Sequence, residues 1–307
     1  MDFKDLTYIL AVADNQSVTE AANKLYISQP SLSYIISKVE SDLGVKLFYR
    51  KTNPLTLTYA GQRYVETARE ILGLMDNLKR ELSDVGQGEK GQINIGIPSE
   101  RAGYMLPKIV GPFAEKYPSM ELHLTETRSS RILGELDKGN IALAVLPGKS
   151  EDYPVNMVSE LIYKEKMYLA AGDGIITEDM LAGTAEDGIP YVDLKKMKML
   201  PYIVMVKGHF TRHKIDSIFR QSGFIPKNVT EVSSNISAAM LARAGLGVTI
   251  IPERVIEALG SEGLHLYHYS NEIDVWDVNA VYRKDTYLSN AEKYLIKTMK
   301  NVFVKGE

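Results

Sequence analysis

The sequence predicts a two-part chain: an N-terminal, mainly α, winged helix-turn-helix unit with a long dimerisation helix, then an α/β unit of two lobes. Three observations predict it. Residues 3–43 hold three amphipathic helical stretches, the second and third joined by a tight turn. Residues 58–85 carry apolar residues at intervals of 4, 3, 4, 3, 4 and 3. From residue 92 onward, strand-like and helix-like patterns alternate.

Phe3, Leu6, Ile9, Leu10 and Val12 form the first helical stripe, and Asn15-Gln16 breaks it. Ser17-Val18-Thr19-Glu20 has the form of a capping box, with Val18, Ala21, Ala22 and Leu25 as the buried positions of a short second helix. Ser28 is a natural N-cap for the third, and Pro30 falls in its first turn, where a missing N–H costs nothing. Leu32, Ile35, Ile36, Val39 and Leu43 form its inward stripe, and Gly44 ends it. Residues 47–50 and 55–58 read as a hairpin wing around Lys51-Thr52-Asn53-Pro54.

Tyr64, Ala68, Ile71, Met75, Leu78, Leu82 and Val85 give the long helix a 3.5-residue period, which is a coiled-coil seam. Gly86–Gly91 matches G-x-G-x-x-G, yet it follows a helix and precedes a strand, the reverse of the dinucleotide-binding order, and reads as a flexible hinge. The expected organisation is 1–58 winged helix-turn-helix, 59–85 linker and dimerisation helix, 86–91 hinge, and 92–307 two-lobed α/β domain. The last divides into lobe I, about 92–161 and 268–307, and lobe II, about 162–267. Strands are expected at 92–97, 122–124, 141–146, 166–171, 201–206, 228–232 and 247–251. Helices are expected at 104–116, 130–138, 211–222 and 235–244, with a last one capped by Ser289. Ligands of such folds sit at the carboxyl ends of the strands.

The bulk numbers narrow the class. The 307 residues are 45% hydrophobic and 24% charged, ordinary for a globular protein, and no apolar run reaches the ~18 residues of a membrane span. The N-terminal MDFKDLTYIL lacks the marks of a signal peptide, so a cytoplasmic location without membrane association is expected. With no cysteine there is no disulfide, thiolate metal site or thiol redox switch. Net charge is −3, and residues 1–60 balance six Lys plus Arg against six Asp plus Glu, so any attraction to DNA is placed locally.

Turned with its stripe inward, the third helix presents Pro30, Ser33, Tyr34, Ser37, Lys38 and Ser41 outward. Hydroxyls there can meet phosphates or base edges. His209 and His213 lie four apart, but no glutamate between them completes a metalloprotease motif, so no metal site is expected. No G-x-S-x-G motif or P-loop occurs, and the chain is not expected to be an enzyme.

Residues 3–62 resemble the winged helix-turn-helix of the LysR-type transcriptional regulators, in "SVTEAANKLYISQPSLSYIISKVESDLGVKLFYR" and "LTLTYAG". "LPKIVGPFAEKYPSMELHL", "KGHFTRHKIDSIFRQSGFIP" and "ARAGLGVTIIPE" resemble successive blocks of that family's periplasmic-binding-protein-like effector domain. Two departures stand out: Tyr34 replaces a commonly basic residue, and Ile141-Ala142-Leu143-Ala144 replaces a Leu-Asp-Leu-Ala motif.

The resemblance implies a ligand-responsive, sequence-specific transcription factor. Gln29, Pro30, Ser33, Tyr34, Ser37 and Lys38 would face DNA, with Arg50 and Lys51 of the wing on its backbone. The implied partners are a pseudo-palindromic double-stranded operator, a second copy through 59–85, further copies in a tetramer, RNA polymerase, and a small effector. The effector would lie between the lobes, which two hinge segments near Leu161–Tyr163 and Leu266–Tyr269 connect. Ser99, Glu100, Arg101, Thr127, Arg128, Ser129, Pro147, Lys207 and His209 would surround it. The cations and loop amides among them favour an organic or inorganic anion, and no other cofactor is expected. The rival reading is a two-lobed solute-binding protein or enzyme without specific DNA binding, for which residues 1–85 would have no use.

Overall fold

In the computed structural model, residues 2–49, 52–86 and 90–304 are described. The chain divides into two compact units, one ending at Val85 and the other beginning at Gly86.

The first unit holds α1 (Phe3–Asn15), α2 (Val18–Lys24), α3 (Gln29–Leu43), a hairpin of β1 (Phe48–Tyr49) and β2 (Thr56–Leu57), and α4 (Tyr59–Val85). Ile9, Val12, Ala21, Leu32, Ile36, Val39, Leu47 and Phe48 make its core, so the amphipathic stripes read from sequence converge. A reciprocal cap between Asp2 and Asp5 starts α1, and the Ser17 hydroxyl accepts from the Glu20 amide at 3.3 Å to start α2. Arg69 on α4 and Asp14 on α1 pair at 2.6 Å. Leu43, placed on the inward stripe of α3, is instead exposed, because it lies in the last turn, beyond the core. Glu40, by contrast, is fully buried. Its carboxylate accepts from the Leu47 and Phe48 amides at 2.9 and 3.4 Å and pairs with Lys46 at 2.8 Å, fixing the wing's first strand to α3.

The second unit holds β3 (Gly91–Pro98), α5 (Ser99–Lys116), β4 (Met120–Thr127), α6 (Ser129–Asp137), β5 (Leu143–Pro147) and the 15-residue β6 (Met157–Ala171). A hairpin of β7 (Leu181–Thr184) and β8 (Pro190–Val192) follows. Then come β9 (Tyr202–Met205), α7 (Phe210–Gln221), β10 (Val229–Val232), α8 (Asn235–Arg243), β11 (Val248–Pro252) and α9 (Glu253–Leu259). The chain closes with β12 (His265–Tyr267), β13 (Val275–Arg283) and α10 (Asn290–Val304). Strand order is β10-β9-β11-β6-β13-β5-β3-β4, with β12 also on β6.

Two parallel triplets, β4-β3-β5 and β10-β9-β11, flank the antiparallel β6 and β13. Residues Met157–Lys166 of β6 pair with β13, and Met167–Ala171 pair with β11. The passage from one lobe's sheet to the other's therefore falls at Lys166–Met167, a few residues after the segment read from sequence. Each triplet's carboxyl ends carry the N-termini of helices: α5 and α6 in one lobe, α7, α8 and α9 in the other. No described helix is long and apolar enough to cross a membrane.

Candidate functional site

The outer face of α3 is assembled as its residues dictate. Ser28 accepts from the Ser31 amide at 3.2 Å, Pro30 sits in the first turn, and Gly44 closes the helix at φ 70°. Gln29, Pro30 and Lys38 are exposed, and Tyr34 stands 71% exposed at the centre of the face. Ser33 and Ser37 are half-buried, and each is engaged within the helix. Gln29 Nε2 donates to Ser33 Oγ at 2.9 Å, and Ser37 Oγ donates to the Ser33 carbonyl at 2.9 Å. Ser33 also borders a cavity of about 200 Å³ that Val18, Ile36, Phe48 and Leu55 line. Sequence reasoning missed Tyr26, 96% exposed in the turn before α3 at φ 55°. Its only sequence signal was an aromatic residue in a predicted tight turn. Arg50 and Lys51 lie outside the described residues.

In the second unit, a cavity of about 110 Å³ opens where the carboxyl ends of both triplets meet. Ser99, Glu100, Arg101, Thr127, Arg128, Ser129, Pro147 and His209 all line it. So do Tyr104, Phe210, Thr211, Ser233, Asn235, Val255 and Trp276, none of which the sequence reading placed in the site. Lys207 does not line it. The His209 amide donates to the Val206 carbonyl at 3.2 Å, and with Gly208 at φ 83° this turn leaves Lys207 exposed at its tip.

Residues 99–101, read as a loop, are the first turn of α5. Their charges play different parts. Arg101 is buried; it donates to the Tyr163 hydroxyl and, at 3.1 Å, to Glu165 Oε2. Burial opposes its charge, but Tyr104, Tyr163 and Glu165 outweigh burial and hold the guanidinium protonated. Glu165, fully buried on β6, also accepts from Trp276 Nε1 at 2.9 Å and from the Arg254 amide at 3.2 Å. Arg101 therefore meets the cavity as one half of a buried ion pair rather than as a free cation. Arg128, exposed at the N-cap of α6, is the lining cation on the surface.

Glu100 reaches across to the other lobe: the Asn235 amide donates to its Oε1, and Asn235 Nδ2 donates to its Oε2 at 2.6 Å. His209 Nδ1 accepts from the Thr211 amide at 3.3 Å and caps α7. Burial lowers the His209 pKa below its ordinary value of 6.5, Arg128 adds to that, and Glu100 opposes it. His213, one turn on, is exposed. The N-termini of α5, α6, α7 and α8, with their partial positive charge, thus share one cavity, in which the Thr211 and Asn235 amides are already engaged.

Residues 3–62 match the family model "Bacterial regulatory helix-turn-helix protein, lysR family", and residues 86–304 match "LysR substrate binding domain". The chain belongs to the LysR family of transcriptional regulators. The HTH-type transcriptional regulator YcgK of Bacillus subtilis is 32% identical over 262 residues, 83% of this chain and 81% of that protein. The DNA-binding transcriptional dual regulator OxyR of Escherichia coli is 29% identical over 252 residues, 82% and 79% of the two chains. A full-length OxyR variant from Pseudomonas aeruginosa has the same fold, with a TM-score of 0.70 over 99% of both chains at 20% identity. Full-length CbnR in complex with its target DNA gives 0.58 over 98% of this chain and 100% of that one at 21% identity.

As a LysR-type regulator, the chain carries its DNA-binding helix-turn-helix in the first unit and its effector-binding domain in the second. The resemblance read from sequence and the fold class it implied are both correct.

Proposed function

We propose that this LysR-type regulator reads its operator with the outer face of α3 and answers to a small anion bound in the cleft at the strand ends. The observation that carries the effector reading is the convergence of the α5, α6, α7 and α8 N-termini on one cavity with Arg128 at its edge. The partial positive charge of four helix N-termini favours an anion, even with the Thr211 and Asn235 amides already paired. A cavity of this size, below the ~150 Å³ that holds the six heavy atoms of benzene in an engineered core, takes a molecule of roughly four or five heavy atoms.

Tyr34 is the centre of the DNA-reading face. Gln29 offers its amide for an adenine edge by releasing Ser33, and Lys38 supplies backbone attraction. The exposed Leu74, Leu78, Leu82 and Val85 of α4 form an apolar stripe that a second copy of α4 covers. Further contacts between effector domains would make a tetramer, on a pseudo-palindromic site recognised by paired heads, with RNA polymerase as a downstream partner. OxyR relatives bear the name hydrogen peroxide-inducible genes activator. This chain has no cysteine, so a response by thiol oxidation is chemically closed to it.

The test joins two measurements on the full chain. Selection from random duplexes yields an operator, and thermal shift with small organic acids, phosphate and sulfate at constant ionic strength finds the anion. The expected result is an enriched palindromic sequence, and stabilisation by at least one anion that Arg128→Ala weakens about tenfold or more. No enrichment would refute the DNA reading. Uniform response to all salts, unchanged in Arg128→Ala, would refute the anion cleft.

A further inference from the structure

Two buried polar atoms on residues lining the effector cavity have no hydrogen-bond partner, and they are of opposite kind. Asn235 is 3% exposed, and its Oδ1 is an acceptor without a donor. Arg101 is 5% exposed, and its Nε–H is a donor without an acceptor. Buried polar groups in folded proteins are paired in the great majority, so two orphans on residues around one cavity are groups that a ligand can engage once their side chains turn toward it.

The sense of the Asn235 amide is set by its surroundings. Nδ2 donates to Glu100 Oε2 at 2.6 Å; reversing the amide would set its oxygen against a carboxylate. Oδ1 is therefore the end left over, and only a donor satisfies it. A plain carboxylate answers the Arg101 side and the helix N-termini but has no hydrogen to offer Asn235. A plain amine answers Asn235 and Glu100 but meets the N-termini and Arg128 with charge of the wrong sign. A molecule with both groups satisfies both ends of the cavity.

We propose that the effector is a small carboxylic acid that also carries a hydroxyl or amino group, with that donor hydrogen-bonded to Asn235 Oδ1. This rests on the cleft being the effector site. Asn235 is then a specificity-determining residue, rejecting acids that lack the donor because binding them would seal an unpaired oxygen in the closed cleft. Glu100, already held by Asn235, separates the two donor types: its charge adds to the attraction for an ammonium and adds little for a hydroxyl.

The experiment uses the full-length protein and matched acids: acetate, glycolate and glycine, then propionate, lactate and alanine. Thermal shift ranks them and calorimetric titration gives affinities. Donor-bearing acids are expected to bind at least about tenfold more tightly than their plain partner. Asn235→Ala should erase that ratio, whatever loss of the Glu100 bridge does to the affinity of all the acids together. Glu100→Gln should weaken the amino acids more than the hydroxy acids.

Equal affinities within each matched set, all weakened by Arg128→Ala, would overturn the donor requirement and leave the anionic cleft standing. Absence of binding by every acid, with phosphate and sulfate also silent, would overturn the cleft reading and this inference with it. Should Asn235→Ala fail to fold, the ratios in the unmodified protein decide the matter alone.

Discussion

Replacing Glu165 with Gln tests whether Arg101 and Glu165 form an ion pair that the fold depends on. The Glu165 side chain is fully buried and that of Arg101 is 6% exposed, so neither charge has solvent to fall back on. Removing one partner of such a pair costs about 3–5 kcal/mol, because the remaining charge stays buried. The lower end, about 3 kcal/mol, applies here: the Gln oxygen still accepts one bond, and Arg101 keeps the Tyr163 hydroxyl. The new amide NH₂ must face one of three donors, on Arg101, Trp276 or the Arg254 backbone. For a unit of this size each kcal/mol moves Tm by about 2–4 °C, so Glu165→Gln should melt about 6–12 °C lower. Glu257→Gln is the control. It also removes a carboxylate from an arginine, Arg254 at 2.8 Å, but Glu257 is 46% exposed, and such pairs are worth about 1 kcal/mol or less. Differential scanning calorimetry of the full chain compares the two. A Glu165→Gln midpoint within about 2 °C of the control would mean that Arg101 had found solvent and that its pair with Glu165 is not a buried one.

Three other variants probe the reading face, the dimer seam and the cleft. Tyr34→Ala should change the base preference of the selected operator, at about 1–3 kcal/mol for the affected position, whereas Lys38→Ala should weaken all sequences alike and lower the salt slope by about one; an unchanged preference for Tyr34→Ala would remove it from the reading face. Leu78 and Leu82 are 48% and 59% exposed, so covering each is worth about 1 kcal/mol; four side chains in a symmetric pair make Leu78→Ala with Leu82→Ala weaken the dimer by about 4 kcal/mol, roughly a thousandfold, in sedimentation equilibrium. His209 has a lowered pKa, so below its ordinary 6.5 the unfolded chain binds a proton the folded one refuses; stability is lost as pH falls from 6.5 toward the lowered value, and Tm measured from about pH 7.5 to 5 should fall less steeply in His209→Asn, which keeps a capping oxygen.

The sequence was legible where one face of one element decides its fate. The three helices of the first unit follow from spacing, because their apolar residues have a single core to meet. The extent of α4 follows from its period, although Leu78, Leu82 and Val85 stay exposed. It was illegible where a polar group is buried by something distant. Glu40 lies one turn from Ile36, on the inward side of α3, and only the amides of Leu47 and Phe48 explain a carboxylate there. The first half of β6 alternates charges such as Glu160, Lys164 and Glu165 with apolar residues. Its expected start at 166 was late, because Glu160 and Glu165 find partners on α10, α5 and β13 rather than in solvent. The start of α5 was missed for a different reason: Pro98 occupies the N-cap with no side-chain cap, so no Ser, Thr or Asp announced Ser99–Arg101 as helix. Most of the site residues chosen from sequence do share one cavity, because each follows a strand. Lys207 does not, since charge alone says nothing about which way a turn faces. Asn235 and Trp276 were out of reach, for they meet the others only after two lobes come together.

That meeting of lobes also fixes what an effector can do. A ligand shifts a conformational equilibrium only by its differential affinity for the two states, so one that touched a single lobe would leave closure unchanged however tightly it bound. This cavity draws on α5 and α6 from one lobe and α7 and α8 from the other, so its occupant gains contacts on closure. The Glu100–Asn235 contact spans the lobes, and hydrogen bonds to a charged group contribute about 1.5–3 kcal/mol. Moving an equilibrium from 1:99 to 99:1 takes about 5.5 kcal/mol. That contact, worth a quarter to a half of such a range, sets where the equilibrium starts, and the effector's differential affinity sets how far it moves. An effector of four or five heavy atoms, at a ceiling of about 1.5 kcal/mol per atom, brings at most about 6–8 kcal/mol, of which only the part realised on closure moves the equilibrium. Small size and a bridge between the lobes are thus two sides of one arrangement: Glu100 holds the starting equilibrium close enough to balance for so small a ligand to tip it.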